Sequence, residues 1–509
     1  MPNNSTNNSR IAKNTGMLYV RMLLIMFVTL YTSRVVLKVL GEEDFGIYNV
    51  VGGVVTMFTF LNSALNTATQ RYLNFEMGKG NTEGMKNIFS MSFWSFGLLA
   101  IVAVILAETI GLWFVNTQLT IPEGRMAVAR WVYHFSVLSF VINLVTVPYN
   151  AAIIAHEKMS IYAYVSICEV VLKLLLVFLL TTIGIDKLWL YSFMMLLVTC
   201  AISVTYWIIC RRYFEECKLK WLWNRELFKG LFSFSGWMLS GTVTNILSTQ
   251  GVNILINIFF GPLLNAARGV AMQIYSAVNG FVANFMTAVK PQIVKSYAQG
   301  DTTYMYRLVF SSSKIAFYLL LILITPIFFN VHEVLDLWLD KVPDKAELFT
   351  RLVLINLLIV SAYTSIAYIS QASGKIRDYQ LVISIGFTLI ALLTWLAFKI
   401  GMPVESTFYI AIGIDILGLW ARLWVLKRIV DFPVSSYLVE VIIPISAVLV
   451  ISIGGALLVG FLIRTSSIIL LLINMAIMMA VTVVSIWFVG MDKSEKQMVR
   501  SMATKIIRM

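Results

Sequence analysis

Asn49, Gly52, Thr56, Thr59, Ser63, Asn66 and Gln70 fall alternately three and four residues apart within one apolar stretch. That spacing puts them on a single helix face, a row of amides and hydroxyls suited to hydrogen-bonding a hydroxyl-rich ligand. The stretch around Gln250 and Asn253 is polar as well, and a weaker stripe follows with Ser276, Asn279 and Lys290, Gln273 and Asn284 lying close by. Hydrocarbon does not tolerate such faces, so they must meet protein or water. Helix–helix packing through small and polar residues accounts for part of this pattern, but the amides are too numerous for a simple seam.

Charges sharpen the picture. Arg34 and Lys38 lie four apart, and Arg268 opens a later apolar stretch. Each cation inside a span costs roughly 2.5–3.5 kcal/mol on insertion scales, a cost tolerated where the side chain reaches a wet cavity or an anion. Snorkelling to the interface is the other way out, strongest for Lys38 and Arg21 near their helix ends. Asp415 is an acid in an otherwise apolar run. It is the candidate for binding a coupling cation or proton, and a salt bridge to Arg422 or a neighbouring helix is the structural alternative. Glu169 and Lys173, four apart, can neutralise each other, and Arg130 and His134 share a face.

No catalytic constellation accompanies these residues. His134, His156 and His332 are far apart in sequence and suggest no metal site. The four cysteines form no CxxC pair. Nucleotide-binding motifs and a nucleophile elbow are missing. The tripeptide DFG occurs within LGEEDFGIYNVVGG, but without the Gly-rich and HRD loops that give it meaning in a kinase. Its acids Glu42, Glu43 and Asp44 sit at a helix N-terminus, where negative charge suits the dipole. The chain is therefore expected not to be an enzyme and to need no cofactor. Transport, if that is its task, would run on an ion gradient, on membrane potential, or downhill.

The elements that must carry these residues are membrane spans. Of 509 residues, 59% are hydrophobic and only 13% charged, with mean hydropathy +0.83. Runs such as IIPISAVLVISIGGALLVGFLI suit a bilayer core, which takes about 20 mostly apolar residues. The fold class expected is all-α, a polytopic integral membrane protein with about 14 spans, from 16–39 and 45–70 through 266–290 to 437–463 and 467–490. Lys and Arg concentrate in the even-numbered loops and at the two termini, above all in CRRYFEECKLKWLWNRELFKG. The positive-inside rule then puts both termini in the cytoplasm. The net charge of +13 is mostly topology, and no nucleic-acid partner is expected.

The chain also repeats itself. A shift of 220 positions sets Gly41 on Gly261, Thr67 on Thr287, Ala68 on Ala288 and Gly80 on Gly300. Hydropathy, turn positions and charge sidedness agree across six helices. The organisation expected is two six-helix lobes, 1–225 and 226–430, related as a parallel pseudo-two-fold repeat, with two further helices and a cytoplasmic tail in 431–509. Homologous halves in a membrane point to a transporter with its site at the repeat interface.

The stretches SRVVLKVLGEEDFGIYNVVGGV, NAARGVAMQIYSAVNGF and VKPQIVKSYAQGD resemble bacterial polysaccharide transporters. These are the O-antigen, or lipid-linked oligosaccharide, flippases of the multidrug/oligosaccharidyl-lipid/polysaccharide exporter superfamily. The resemblance spans essentially the whole chain. It implies a central cavity formed by helices 1, 2, 7 and 8, alternating access, and a glycan carried on undecaprenyl pyrophosphate. It further implies a bacterial cytoplasmic (inner) membrane location, function as a monomer, and polysaccharide assembly proteins as partners beside the bilayer and the lipid-linked glycan. The cationic cavity residues implied are Arg34, Lys38 and Arg268; the last two helices match those that hold a lipid tail in some relatives. Polar faces at Asn49, Thr56, Asn66, Gln250, Asn253, Gln273 and Asn284 suit sugar hydroxyls, and Arg suits a phosphate bidentately. Two other functions compete: a cation-coupled multidrug exporter, disfavoured by the cationic cavity, and a membrane polysaccharide polymerase or ligase, disfavoured by short external loops.

Overall fold

The computed structural model describes residues 4–56, 60–117, 121–180, 185–339, 342–463, 467–492 and 495–497, all helix, turn or coil. Side chains at some positions of the first helix, Arg34, Lys38, Asn49 and Thr56 among them, lie outside the described residues. Among the described residues, eleven stretches are long and apolar enough to cross a membrane. The protein is thus an all-α, polytopic membrane protein. The sequence leads one to expect three more spans, and these fall on α1 (Asn4–Thr56), α2 (Phe60–Gly78) and α9 (Pro262–Ala298). Those are the helices whose polar faces dilute their hydropathy.

The chain forms two compact units, one of residues 13–239 and the other of residues 1–12 with 240–509. In the first, α3 (Thr82–Leu106) runs through a π-turn into α4 (Leu112–Thr117). It is followed by α5 (Met126–Ala155), α6 (Met159–Leu179) and α7 (Lys187–Tyr213). Helix α5 is the core element, with Ala129, Val132, Tyr133, Leu144 and Ile153 at 0–1% exposure. Helix α8 (Arg225–Phe260) runs across the division between the units. In the second unit, α9 packs on α10 (Thr302–Phe329) and α12 (Ala346–Tyr363). The short α11 (Val331–Trp338) and α13 (Ala367–Ser373) flank α12, and α14 (Arg377–Lys399) pairs with α15 (Ser406–Val430).

A single turn, α16 (Val434–Tyr437), leads into the closing hairpin of α17 (Ile443–Leu462) and α18 (Ile468–Ser485). The hairpin turns large apolar residues outward, Phe461 and Ile469 for instance, as lipid contact requires. Its inward tie to the end of α10 is polar. The Asn330 side-chain amide donates to Asn474 Oδ1 at 3.1 Å, and both residues are buried. In hydrocarbon such a pair leaves no unsatisfied amide behind.

The same devices recur 220 positions apart. Gly41 (φ 81°, ψ 169°) breaks α1, and Gly261 (φ 83°, ψ 177°) separates α8 from α9. This is a region of backbone space essentially reserved for glycine, so each hairpin turns there without a Cβ penalty. At the other helix ends, Asn81 caps α3 by accepting from the Gly84 N–H, and Asp301 caps α10 by accepting from the Tyr304 N–H. An ion pair recurs too. Arg125 precedes α5 and bonds Asp186, which caps α7. Lys345 precedes α12 and bonds Glu405, which precedes α15.

The first of these pairs has a third member. Arg125 Nε also donates to Asp44 Oδ1 at 2.9 Å, so the acid of the DFG tripeptide serves an ion pair as well as a helix terminus. Leu264 stands at the corresponding position of the second unit, which has no such leg. Burial alone would raise the Asp186 carboxyl. The hydrogen bonds from Arg125 and from the Trp189 and Leu188 backbone outweigh it and hold the group below the ordinary carboxylate range. A depressed carboxylate contributes stability above its unfolded-state pKa of about 4 and loses it as pH falls through the lower folded value. Thermal melting in detergent should therefore weaken on acidification below about pH 4. Asp186→Asn should melt a few degrees lower at neutral pH and lose part of that acid response. An unchanged melting point in this variant would remove the clamp from the account.

Candidate functional site

Each unit holds a cavity lined by the polar residues of its long helices. In the first unit a cavity of about 370 Å³ opens among Tyr48 and Gly52 of α1, Asn62 of α2, Ser139 and Asn143 of α5, and Thr199 of α7. Lys173 lines it from α6, with its ammonium 2.6 Å from Glu169. The sequence expects that pairing, and it leaves the cavity close to neutral. Arg130 and His134 turn to different partners, Asn116 at 2.9 Å and Glu108 at 3.0 Å.

The second unit's cavity, about 260 Å³, is different in charge. Arg268 enters it from α9, Asn245 and Thr249 from α8, Asn356 from α12, and Thr407 and Asp415 from α15. Arg268 lies about two turns after Gly261, so the helix break delivers it to the first part of α9. It is only 7% exposed. Its one described hydrogen bond runs from Nη1 to Asn253 Oδ1. Asn253 in turn donates to Gln250 Oε1 at 2.9 Å. Arg268 Nε is buried with no hydrogen-bond partner, and among the described residues no carboxylate lies within ion-pair distance of the guanidinium. A buried cation in this condition retains donors for an incoming anion.

Asp415 is held by two neutral donors of α12. Its Oδ2 accepts from Asn356 Nδ2 at 2.8 Å, and its Oδ1 accepts from the Tyr363 hydroxyl at 2.7 Å. Arg422 does not salt-bridge it within the described geometry; the guanidinium lies over the Tyr363 ring, 4.2 Å from its centroid. The carboxylate is thus oriented by neutral donors, with the cation one ring away. Asn356 and Tyr363 were not singled out by sequence. They lie seven apart on α12, and a lone amide and phenol two turns apart in an apolar run would have been the signal.

The remaining expected site residues scatter. Asn66 accepts from Gln70 on its own helix at 2.6 Å. Gln273 is exposed on α9, and Asn284 donates to the Gly280 carbonyl at 2.8 Å. Arg34, Lys38, Asn49 and Thr56 lie outside the described residues. The structure therefore brings Gln250, Asn253 and Arg268 into one chain of contacts, and sets Arg268 and Asp415 on the walls of one cavity.

Residues 11–297 match the family model described as polysaccharide biosynthesis protein. The chain belongs to that family. A curated relative, the uncharacterized membrane protein EpsK of Bacillus subtilis (strain 168), is 19% identical over 285 residues, 55% of each chain. The match spans about half the length of that relative. Among solved structures, an outward-facing multidrug resistance MATE family transporter of the MOP superfamily aligns with a TM-score of 0.70 at 14% identity, covering 84% of this chain and 98% of that one. A MATE structure in the straight conformation gives 0.71 at 14%, covering 83% and 96%. A MOP-superfamily transporter from Pyrococcus furiosus, described by a reverse polarity of its binding pocket suggesting a different function, gives 0.69 at 14%, covering 86% and 99%. The polysaccharide biosynthesis family member thus has the MATE-like fold.

Proposed function

We propose that this protein is a flippase. It moves an undecaprenyl-pyrophosphate-linked oligosaccharide from the cytoplasmic to the outer leaflet by alternating access, for surface polysaccharide assembly. The observation that carries the reading is Arg268: a buried guanidinium, unpaired by any described carboxylate, lining a cavity of amides and hydroxyls. A pyrophosphate diester carries about two negative charges and needs charge-assisted hydrogen bonds once out of water. Arg presents a planar fork that matches it. Family membership in polysaccharide biosynthesis agrees with such a cargo. Arg34 and Lys38 complete the cationic path, and Asn49, Thr56, Asn66, Gln250, Asn253, Gln273 and Asn284 meet sugar hydroxyls along it.

In this reading fourteen spans, flagged as about 14 by hydrophobic length, form two six-helix lobes (1–225 and 226–430) and a closing pair in 431–509. Both termini face the cytoplasm of a bacterial inner membrane. The recurrence of the glycine breaks and caps 220 positions apart, and of the ion pairs at 219 and 220, supports the parallel repeat. Asp415 couples transport to a cation or proton, the protein works as a monomer, and its partners are the lipid-linked glycan, the bilayer and polysaccharide assembly proteins.

The second reading is a cation-coupled multidrug exporter, favoured by Asp415 on the cavity wall. Against it, Arg268 on the same cavity would repel a cationic drug. Deletion of the gene separates the two. Accumulation of a lipid-linked glycan intermediate, with loss of the surface polymer and unchanged drug tolerance, is the result expected. Normal surface glycan with drug hypersensitivity would select the exporter.

A further inference from the structure

The segment joining α7 to α8 is fastened to the first unit at several points. Glu216, 4% exposed, bonds the His156 ring, and that ring stacks on Phe214 at 4.1 Å. Burial would raise the Glu216 carboxyl, but the bond to His156 outweighs it and holds the group low. Further along, the Lys220 N–H donates to Ser90 Oγ at 3.1 Å, and the Lys220 carbonyl accepts from Trp94 Nε1 at 3.0 Å. Trp94 then meets Trp221 edge-on, with centroids 4.6 Å apart. The segment is a strap of fixed conformation.

What the strap turns outward is unusual for a water-facing surface. Trp221 is 83% exposed, Tyr213 66% and Trp223 56%. The strap and its flanks carry Arg211, Arg212, Lys218, Lys220, Arg225 and Lys229 against Glu215, Glu216 and Glu226; Glu216 is buried against His156, Glu215 pairs with Lys86 at 3.6 Å and Lys220 with Glu83 at 2.8 Å, which leaves Arg211, Arg212, Lys218, Arg225 and Lys229 against Glu226. Indoles prefer the headgroup layer of a membrane. Clustered Lys and Arg beside them add attraction to negatively charged lipid, and only to that. A neutral interfacial belt would have the aromatics without the cation excess.

We propose that this strap, residues 213–225, docks on anionic phospholipid headgroups and ties the first unit to a negatively charged leaflet. That the leaflet is the cytoplasmic one rests on the topology proposed above; the lipid preference does not. An acidic soluble partner could use the same charge, but it would leave the indoles in water.

The test uses the full chain in nanodiscs of equimolar phosphatidylglycerol and phosphatidylcholine, with bromine on the acyl chains of one lipid or the other. The tryptophan emission lost in a Trp221→Phe/Trp223→Phe variant reports the strap. Brominated phosphatidylglycerol should quench that emission about twofold more than brominated phosphatidylcholine. An Arg212→Gln/Lys218→Gln/Arg225→Gln variant should bring the two to parity. Equal quenching in the unaltered protein would overturn the proposal and leave a charge-blind anchor. Absence of quenching by either lipid would overturn it too, and leave a water-facing surface. Glycan export is scored separately by intermediate accumulation, so failure of the flippase reading would not be mistaken for failure of this one.

Discussion

Arg268→Ala is expected to abolish surface glycan export while the protein remains folded in the membrane. Truncating one partner of a buried charge pair costs about 2–5 kcal/mol, which converts to a loss between about 30-fold and several thousand-fold in the bound or transported species. Arg268→Lys keeps the charge but loses the planar fork, so a partial defect of about tenfold should remain. The stability readout should move the other way. A span cation without a described carboxylate carries an unrecovered desolvation cost of roughly 2.5–3.5 kcal/mol, so Arg268→Met should melt at the same temperature or higher. A guanidinium that merely braced Asn253 and Gln250 would show the reverse, with lower melting and intact export. Unchanged export in Arg268→Ala would discard the anion site.

Asp415→Asn should slow transport about tenfold and remove its dependence on an imposed ion gradient. The geometry makes the comparison clean. Asn356 and Tyr363 each give one hydrogen bond to the carboxylate, and Tyr363→Phe removes one of them without touching the charge. Losing a buried hydrogen bond while leaving an acceptor short costs about 1–3 kcal/mol. Tyr363→Phe should therefore lower the melting point yet keep the ion response. If Asp415→Asn lowered melting and left the ion response intact, the carboxylate would be a structural group held by α12.

Much of this was legible in the sequence, for reasons particular residues make plain. Long apolar runs have one outcome in a bilayer, because only helices satisfy their own backbone there, so the helical architecture followed from hydropathy. The glycine breaks at Gly41 and Gly261 were visible as aligned residues, and their shared backbone geometry gives the alignment a physical cause. Arg268 and Asp415 stood out because charge in a span is expensive. What the sequence could not give was their placement on one cavity, since that depends on how α8, α9, α12 and α15 pack. Asp44 illustrates the other gap. Its helix-terminus role was readable from Gly41, but its bond to Arg125 spans 81 positions and left no periodic trace. Asn66 falls on a stripe and Asn284 close by one, and each makes a hydrogen bond within its own helix that periodicity alone does not show.

The most direct measurement places the purified full-length protein in proteoliposomes with a fluorescent undecaprenyl-pyrophosphate saccharide and follows its passage to the opposite leaflet. The unaltered protein should move it, inorganic pyrophosphate in excess should slow it, and Arg268→Ala should reduce it by at least about 30-fold. Equal translocation by the Arg268→Ala protein, with no effect of pyrophosphate, would contradict the claim that a buried guanidinium receives the cargo's phosphates.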